Sequence, residues 1–180
     1  FAGNYALSEI GVRSAYARGA TGTGVLVGVV DSGIDANHSE FAGRIAAGGQ
    51  NFITSRTASN IQDSSLDGHG THVSGIIAAN RNDVSVHGVA YGAQILPLRI
   101  FETDSMGNDY TASGSDVAAA WAYGSAQGVD VFNGSYGYSG GSGVAIQVDV
   151  TAAASEFDAV ESAINAGAIA VFAAGNDGLT

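Results

Sequence analysis

Short, almost unbroken apolar runs recur along the chain, at residues 25–30, 95–100, 129–133 and 168–173, and they restrict the fold more than any other feature. The first reads Val-Leu-Val-Gly-Val-Val. A strand covered on both faces has no polar side to alternate with, so it reads as a continuous apolar run. Such strands belong to parallel sheets flanked by helices. The second run contains Pro97, the chain's one proline, which lacks an N–H and weakens a strand there. Helical patterns lie between the runs. Residues 72–79 set Val73, Ile76 and Ile77 on one face. Residues 113–127 are Ala-rich, offer Val117, Trp121 and Tyr123 for packing, and stop at Gly128. Residues 155–165 repeat the pattern with Phe157, Val160 and Ile164 and end before Gly167. This alternation predicts right-handed crossovers and an α/β fold: a doubly wound, mainly parallel sheet flanked by helices. Asn133-Gly134 has the form of a hairpin turn, but the flanking helices favour a turn at a strand end.

Composition narrows the function. A chain of 180 residues can hide roughly 70% of its unfolded surface. Its 27 glycines come with 46% hydrophobic residues, so they read as turns and close contacts in a folded protein, not as a disordered tract. The net charge is −11 and no basic cluster occurs, which argues against gripping a nucleic-acid backbone. Cysteine is absent, so disulfides, Cys–zinc sites and cysteine nucleophiles are excluded. No apolar run approaches the roughly 18 residues of a membrane-crossing helix. Neither an internal repeat nor a linker is visible.

In open α/β sheets, ligands bind at the carboxyl ends of strands, where Asp31, Asn133 and Asn176 fall. Asp31 opens Asp-Ser-Gly-Ile-Asp; it either caps the next turn or sits partly desolvated and needs partners. Residues 67–75 read Asp-Gly-His-Gly-Thr-His-Val-Ser-Gly and open a helix. Histidines three apart share a helix face, so a metal site with Asp31, His69 and His72 is one reading. The spacing lacks the His-Glu-x-x-His form, and His69, between two glycines, is the approachable one. Asn176, in a Gly-rich turn, either stabilises that turn or donates to a developing oxyanion.

Together, in the order Asp, His, Asn on three strand ends, these segments resemble the subtilisin-like serine proteases (subtilases). The matching words are Val29-Val30-Asp31-Ser32-Gly33-Ile34-Asp35 and His69-Gly70-Thr71-His72-Val73-Ser74-Gly75. Gly88-Val89-Ala90, Asn133-Gly134-Ser135-Tyr136-Gly137 and Ala173-Ala174-Gly175-Asn176 match further segments. The resemblance implies a subtilisin-like fold and the hydrolysis of peptide bonds in polypeptide substrates. It implies that Asp31 orients the histidine, His69 is the general base and then acid, and Asn176 is the oxyanion donor. Ser135, Tyr136, Gly137 and Ala173, Ala174, Gly175 would wall the pocket for the residue before the cut. Met106, Gly107 and Asn108 would pair with the substrate as an added strand.

The family's nucleophile lies in a Gly-Thr-Ser-Met-Ala-x-Pro motif downstream of the asparagine, and these 180 residues contain no such motif. Residues 1–180 therefore read as the amino-terminal part of a secreted or cell-surface catalytic domain, with the sheet truncated at its carboxyl end. The downstream segment of the same domain would be its partner. A serine-less binding module is the alternative. A nucleotide-binding module fits poorly, because Gly22-Thr23-Gly24 precedes the first strand. The chemistry requires no cofactor. The loop at residues 80–86, with Asn82 and Glu40, resembles the family's structural calcium site, whose hard oxygen ligands suit that ion. The length of residues 137–155 resembles the subtilases of bacterial autotransporters.

Overall fold

The computed structural model describes residues 5–64, 66, 68–84, 86–137 and 150–175. Two short helices, α1 (Tyr5–Glu9) and α2 (Val12–Tyr16), come first. They are followed by β1 (Leu26–Asp31), β2 (Gln50–Asn51), α3 (His69–Ala78) and β3 (Gln94–Arg99). The rest are β4 (Phe101–Thr103), β5 (Asp109–Thr111), α4 (Gly114–Ala126), β6 (Val131–Gly134), α5 (Val150–Asn165) and β7 (Ile169–Phe172). One sheet has the order β2-β3-β1-β6-β7, and every pairing in it is parallel. The chain leaves β1 through α3 to β3 on one side. It then crosses through α4 to β6 on the other side. The winding thus reverses at β1, and the carboxyl end of β1 becomes the switch point where such sheets hold ligands.

The four apolar runs are the four long strands of this sheet. Their residues divide by the period of two between two cores. Val27 and Val29 pack with Ile34, Phe41, Ala78 and Ile95 on the α3 face. Val30 packs with Leu98, Trp121, Phe132 and Val160 on the face covered by α4 and α5. Gly28 points to the second face, where a Cβ would press to 3.1 Å from Phe132 and Val129.

Pro97 lies inside β3 without breaking it. The Ile95 N–H donates outward to Arg44 O, away from β1. Two residues on, Pro97 faces the same way, into the gap between the Ile45–Ile95 bridge and the start of β2 at Gln50. No N–H is called for there. Helix α3 starts at His69, three residues earlier than its apolar pattern predicts, because its first turn is set by glycine and polar caps. Helix α4 begins as expected, with a capping box between Ser113 and Asp116. Asn133-Gly134 closes β6 as a strand end and forms no hairpin. Of the long stretch at residues 137–155, positions 138–149 lie outside the described residues.

Trp121, the chain's one tryptophan, is fully buried and stacks on Phe132 at 4.5 Å and on Phe172 at 5.3 Å. It joins α4 to β6 and β7. Trp121→Ala should cost about 3–5 kcal/mol of stability, measured by chemical denaturation. A loss under 1 kcal/mol would mean that this face does not hold the sheet together.

Candidate active site

Asp31 ends β1 and is fully buried; His69 opens α3. Their side chains meet, with His69 Nδ1 2.8 Å from Asp31 Oδ1. An ionised carboxylate only accepts, so Nδ1 carries the proton of the neutral ring. Nε2 is then the nitrogen able to take one up. The His69 side chain is 44% exposed, while its Nδ1 edge is held against Asp31.

Two glycines make this approach feasible. Gly33 has φ +113°, and a Cβ there would come within 2.5 Å of Ile61 O. At Gly70 a Cβ would collide with the Gly33 carbonyl and stand 3.0 Å from Asp31 Oδ1. Only glycine therefore lets α3 come this close to the end of β1. Ser32 locks the contact: its N–H donates to Asp31 Oδ1 at 2.7 Å and its Oγ accepts from Gly70 N–H at 2.8 Å. Arg99, beside Asp31 in the register of β3, donates from Nε to Ser32 O at 2.8 Å and pairs with Glu102.

The first turn of α3 leaves N–H groups without helical partners. Asp63 supplies the cap: its Oδ2 accepts from Thr71 N–H at 2.8 Å and from Thr71 Oγ1 at 2.6 Å. Thr71 Oγ1 accepts in turn from Asp35 N–H. Sequence reasoning missed Asp63, Ser32, Thr71 and Arg99 as parts of the site. An acid and a serine in a loop ahead of a helix are an available cap signal. Nothing local marks Arg99.

His69 opens on a cavity of about 560 Å³, lined also by Phe101, Tyr110, Ser135, Tyr136, Gly137 and Glu156. The expected wall at Ser135, Tyr136 and Gly137 is thus beside His69. Ala173, Ala174 and Gly175 follow β7 and are exposed, with Ala173 N–H bonded to Gly134 O; they are not on the lining. Asn176 lies outside the described residues. The resemblance places substrate pairing at the segment around Met106, Gly107 and Asn108. These residues form the tip of the β4–β5 hairpin, where Asp104 accepts from the N–H groups of Met106 and Asn108. The extended segments flank the tip, and Asp109, Tyr110 and Thr111 of β5 reach the lining.

His72 does not share the His69 cavity. It lines a separate groove of about 900 Å³ on the other side of α3. Among the described residues, no group of three His, Asp or Glu side chains is placed to hold a metal ion. The Asp31, His69 and His72 metal site therefore lacks its geometry. Glu40 and Asn82 do come together: Asn82 Nδ2 donates to Glu40 Oε1 and Oε2 at 3.2 and 3.3 Å. Glu40 is buried, and its hard anionic oxygens suit calcium. A bound ion would require the Asn82 amide to turn its oxygen inward.

Burial pushes the Asp31 carboxyl above the ordinary carboxylate range, against the opposing pull of the bonds from His69 and Ser32. Its Oδ2 has no hydrogen-bond partner among the described residues. A raised carboxyl favours the fold below its unfolded pKa, and that contribution is lost as pH rises through the folded value. At neutral pH the buried charge is therefore destabilising. Asp31→Asn keeps an acceptor at Oδ1 and removes the charge. The variant should melt at a higher temperature than the wild type at pH 7. The gap should close as pH falls toward about 4. Calorimetry across that range checks it, and a variant less stable at every pH would refute the sign.

The Subtilase family model matches residues 22–180. Fervidolysin of Fervidobacterium pennivorans is 36% identical over 141 residues, covering 75% of this chain and 20% of that protein. Subtilisin E of Bacillus subtilis is 34% identical over 175 residues, covering 97% of this chain and 40% of that protein. An extracellular serine protease of Serratia marcescens is 40% identical over 110 residues, 59% of this chain and 9% of its own length. The crystal structure of fervidolysin, a keratinolytic enzyme related to subtilisin, superposes with a TM-score of 0.74 over 96% of this chain and 24% of that one. The chain thus spans less than half the length of these relatives. With a matching family model over most of its length and the same parallel sheet, the chain belongs to the subtilase family.

Proposed function

We propose that residues 1–180 are the amino-terminal part of the catalytic domain of a serine endopeptidase, whose nucleophilic serine is supplied by sequence past residue 180. The observation that carries this reading is the 2.8 Å bond from His69 Nδ1 to buried Asp31, with the same ring opening on a cavity walled by residues 135–137. In this reading His69 Nε2 takes the proton of the serine hydroxyl as its oxygen attacks the scissile carbonyl carbon. Asp31 stabilises the imidazolium that forms. The tetrahedral oxyanion is met by the Asn176 amide. On collapse of that intermediate the C–N bond breaks, and His69 returns its proton to the leaving amine. Water then repeats the sequence on the acyl-enzyme. The helix N-terminus at His69 disfavours a charged ring, and the Asp31 carboxylate offsets it.

The substrates are polypeptides, laid along the β5 edge and the wall at Ser135, Tyr136 and Gly137. The 180 residues alone would not turn over peptides. The extracellular naming of the Serratia relative supports action outside the cell. Among the described residues no helix is long and apolar enough to cross a membrane.

The test uses the whole protein. A fluorophosphonate should label one serine and block peptide cleavage, and His69→Ala should abolish both. Asn176→Ala should lower turnover by about 10²–10³ with little change in KM, a magnitude taken from subtilisin, a relative of this chain. Full peptidase activity in His69→Ala would overturn the assignment. A structural calcium between Glu40 and Asn82 belongs to the same reading. Chelation should lower the melting temperature of the wild type but not that of Glu40→Gln. An equal drop in both would remove the ion from this place.

A further inference from the structure

The cavity beside His69 has a carboxylate in its lining that the proposed reaction does not use. Glu156, on α5, lines the cavity and is only 6% exposed. The Tyr136 hydroxyl donates to its Oε1 at 2.6 Å and accepts from Trp121 Nε1 at 2.9 Å. An indole N–H can only donate, so the one phenol proton is directed at Glu156. Trp121 itself stacks on Phe132 and Phe172, so the hydrogen-bond chain to the carboxylate starts from packed aromatic rings.

Taking a carboxylate out of water is costly unless an opposite charge or good donors compensate it. The chain contains no lysine, and none of its six arginines is among the residues lining the cavity. Glu102, a half-buried acid of the same wall, is matched by Arg56 and Arg99. Glu156 therefore brings negative charge to a cavity that no arginine lines. Its sides include the rings of Phe101, Tyr110 and Tyr136. Long basic side chains bury their stems along such surfaces and carry their charge at the tip.

We infer that Glu156 makes this cavity a pocket for an arginine or lysine of the polypeptide substrate, on the amino-terminal side of the cut. The inference rests on the peptidase reading, and its test separates the two. Peptides carrying Arg, Leu or Glu at each position before the cut are assayed with the whole protein. At one position the order in kcat/KM should be Arg over Leu over Glu. The Arg-to-Glu ratio should be about ten- to a hundredfold, a span typical of charge complementarity in a partly buried site. Glu156→Gln should bring that ratio close to one, and Glu156→Lys should invert it. The ratio is taken within each variant, so a general loss of activity cancels. Tyr136→Phe, which keeps the carboxylate, should retain the order Arg over Glu.

Binding of the same peptides to His69→Ala protein, followed by fluorescence anisotropy, gives a readout without turnover. Tighter binding of the Arg peptide with no cleavage by the wild type would end the peptidase reading and leave the pocket standing. Cleavage with no preference for a basic residue at any position would end the pocket and leave the peptidase standing. An Arg preference unchanged in Glu156→Gln would also overturn the assignment.

Discussion

The buried carboxylate of Asp31, at the end of β1, sets what the rest of the site must supply. Asp31 closes β1, with β3 and β6 on its two sides. Its Oδ1 takes two bonds, from the Ser32 N–H and from His69. Both donors must be delivered from outside the strand within a narrow space. Gly33 turns the chain at positive φ, and Gly70 lets α3 close against that turn. Ser32 joins the two through Gly70 N–H, and Arg99 pins the Ser32 carbonyl from β3. A side chain at either glycine would push α3 away and leave the carboxylate without its imidazole. The close approach of α3 and the orientation of His69 are thus one requirement.

The sheet makes that requirement attainable. Because the winding reverses at β1, α3 lies on one face and α4 with α5 on the other. The α3 face brings the imidazole. The opposite face brings the Trp121–Tyr136–Glu156 chain of hydrogen bonds, which shapes the neighbouring wall of the same cavity. Each face is stabilised by its own apolar cluster, so the two halves of the site are positioned by independent packing. Such separation suits a pocket whose chemistry stays fixed while its recognition surface varies.

The architecture was legible because its strands are apolar on both faces and its helices are periodic. The places of Asp31 and His69 were legible from strand-end position and the glycines around them. What could not be read locally depends on residues far apart in sequence. The start of α3 at His69 rests on Asp63 bonding Thr71, which no apolar period reports. The tolerance of Pro97 rests on a gap between β2 and the Ile45–Ile95 bridge. The separation of His69 from His72 follows from what packs on each side of α3, although i and i+3 positions adjoin on a helix. Met106, Gly107 and Asn108 form a turn because Asp104 gathers the N–H groups of Met106 and Asn108, a local capture that no apolar period reports.

The charge balance ties these features together. The chain has 17 acidic and 6 basic residues, yet among the described residues it buries the carboxylates of Asp31, Glu40, Asp63 and Glu156 and only one guanidinium, that of Arg99. Ion pairing cannot compensate so many acids with so few cations. Neutral donors do it instead: the Ser32 and Thr71 N–H groups, the Asn82 amide and the Tyr136 hydroxyl. A neutral donor lowers the cost of a buried charge without cancelling it, so the negative potential of each site survives in the fold. At Asp31 that potential is what an imidazolium requires. At Glu156 the same surviving potential faces the cavity beside His69, and the pocket we infer for a basic side chain would draw on it.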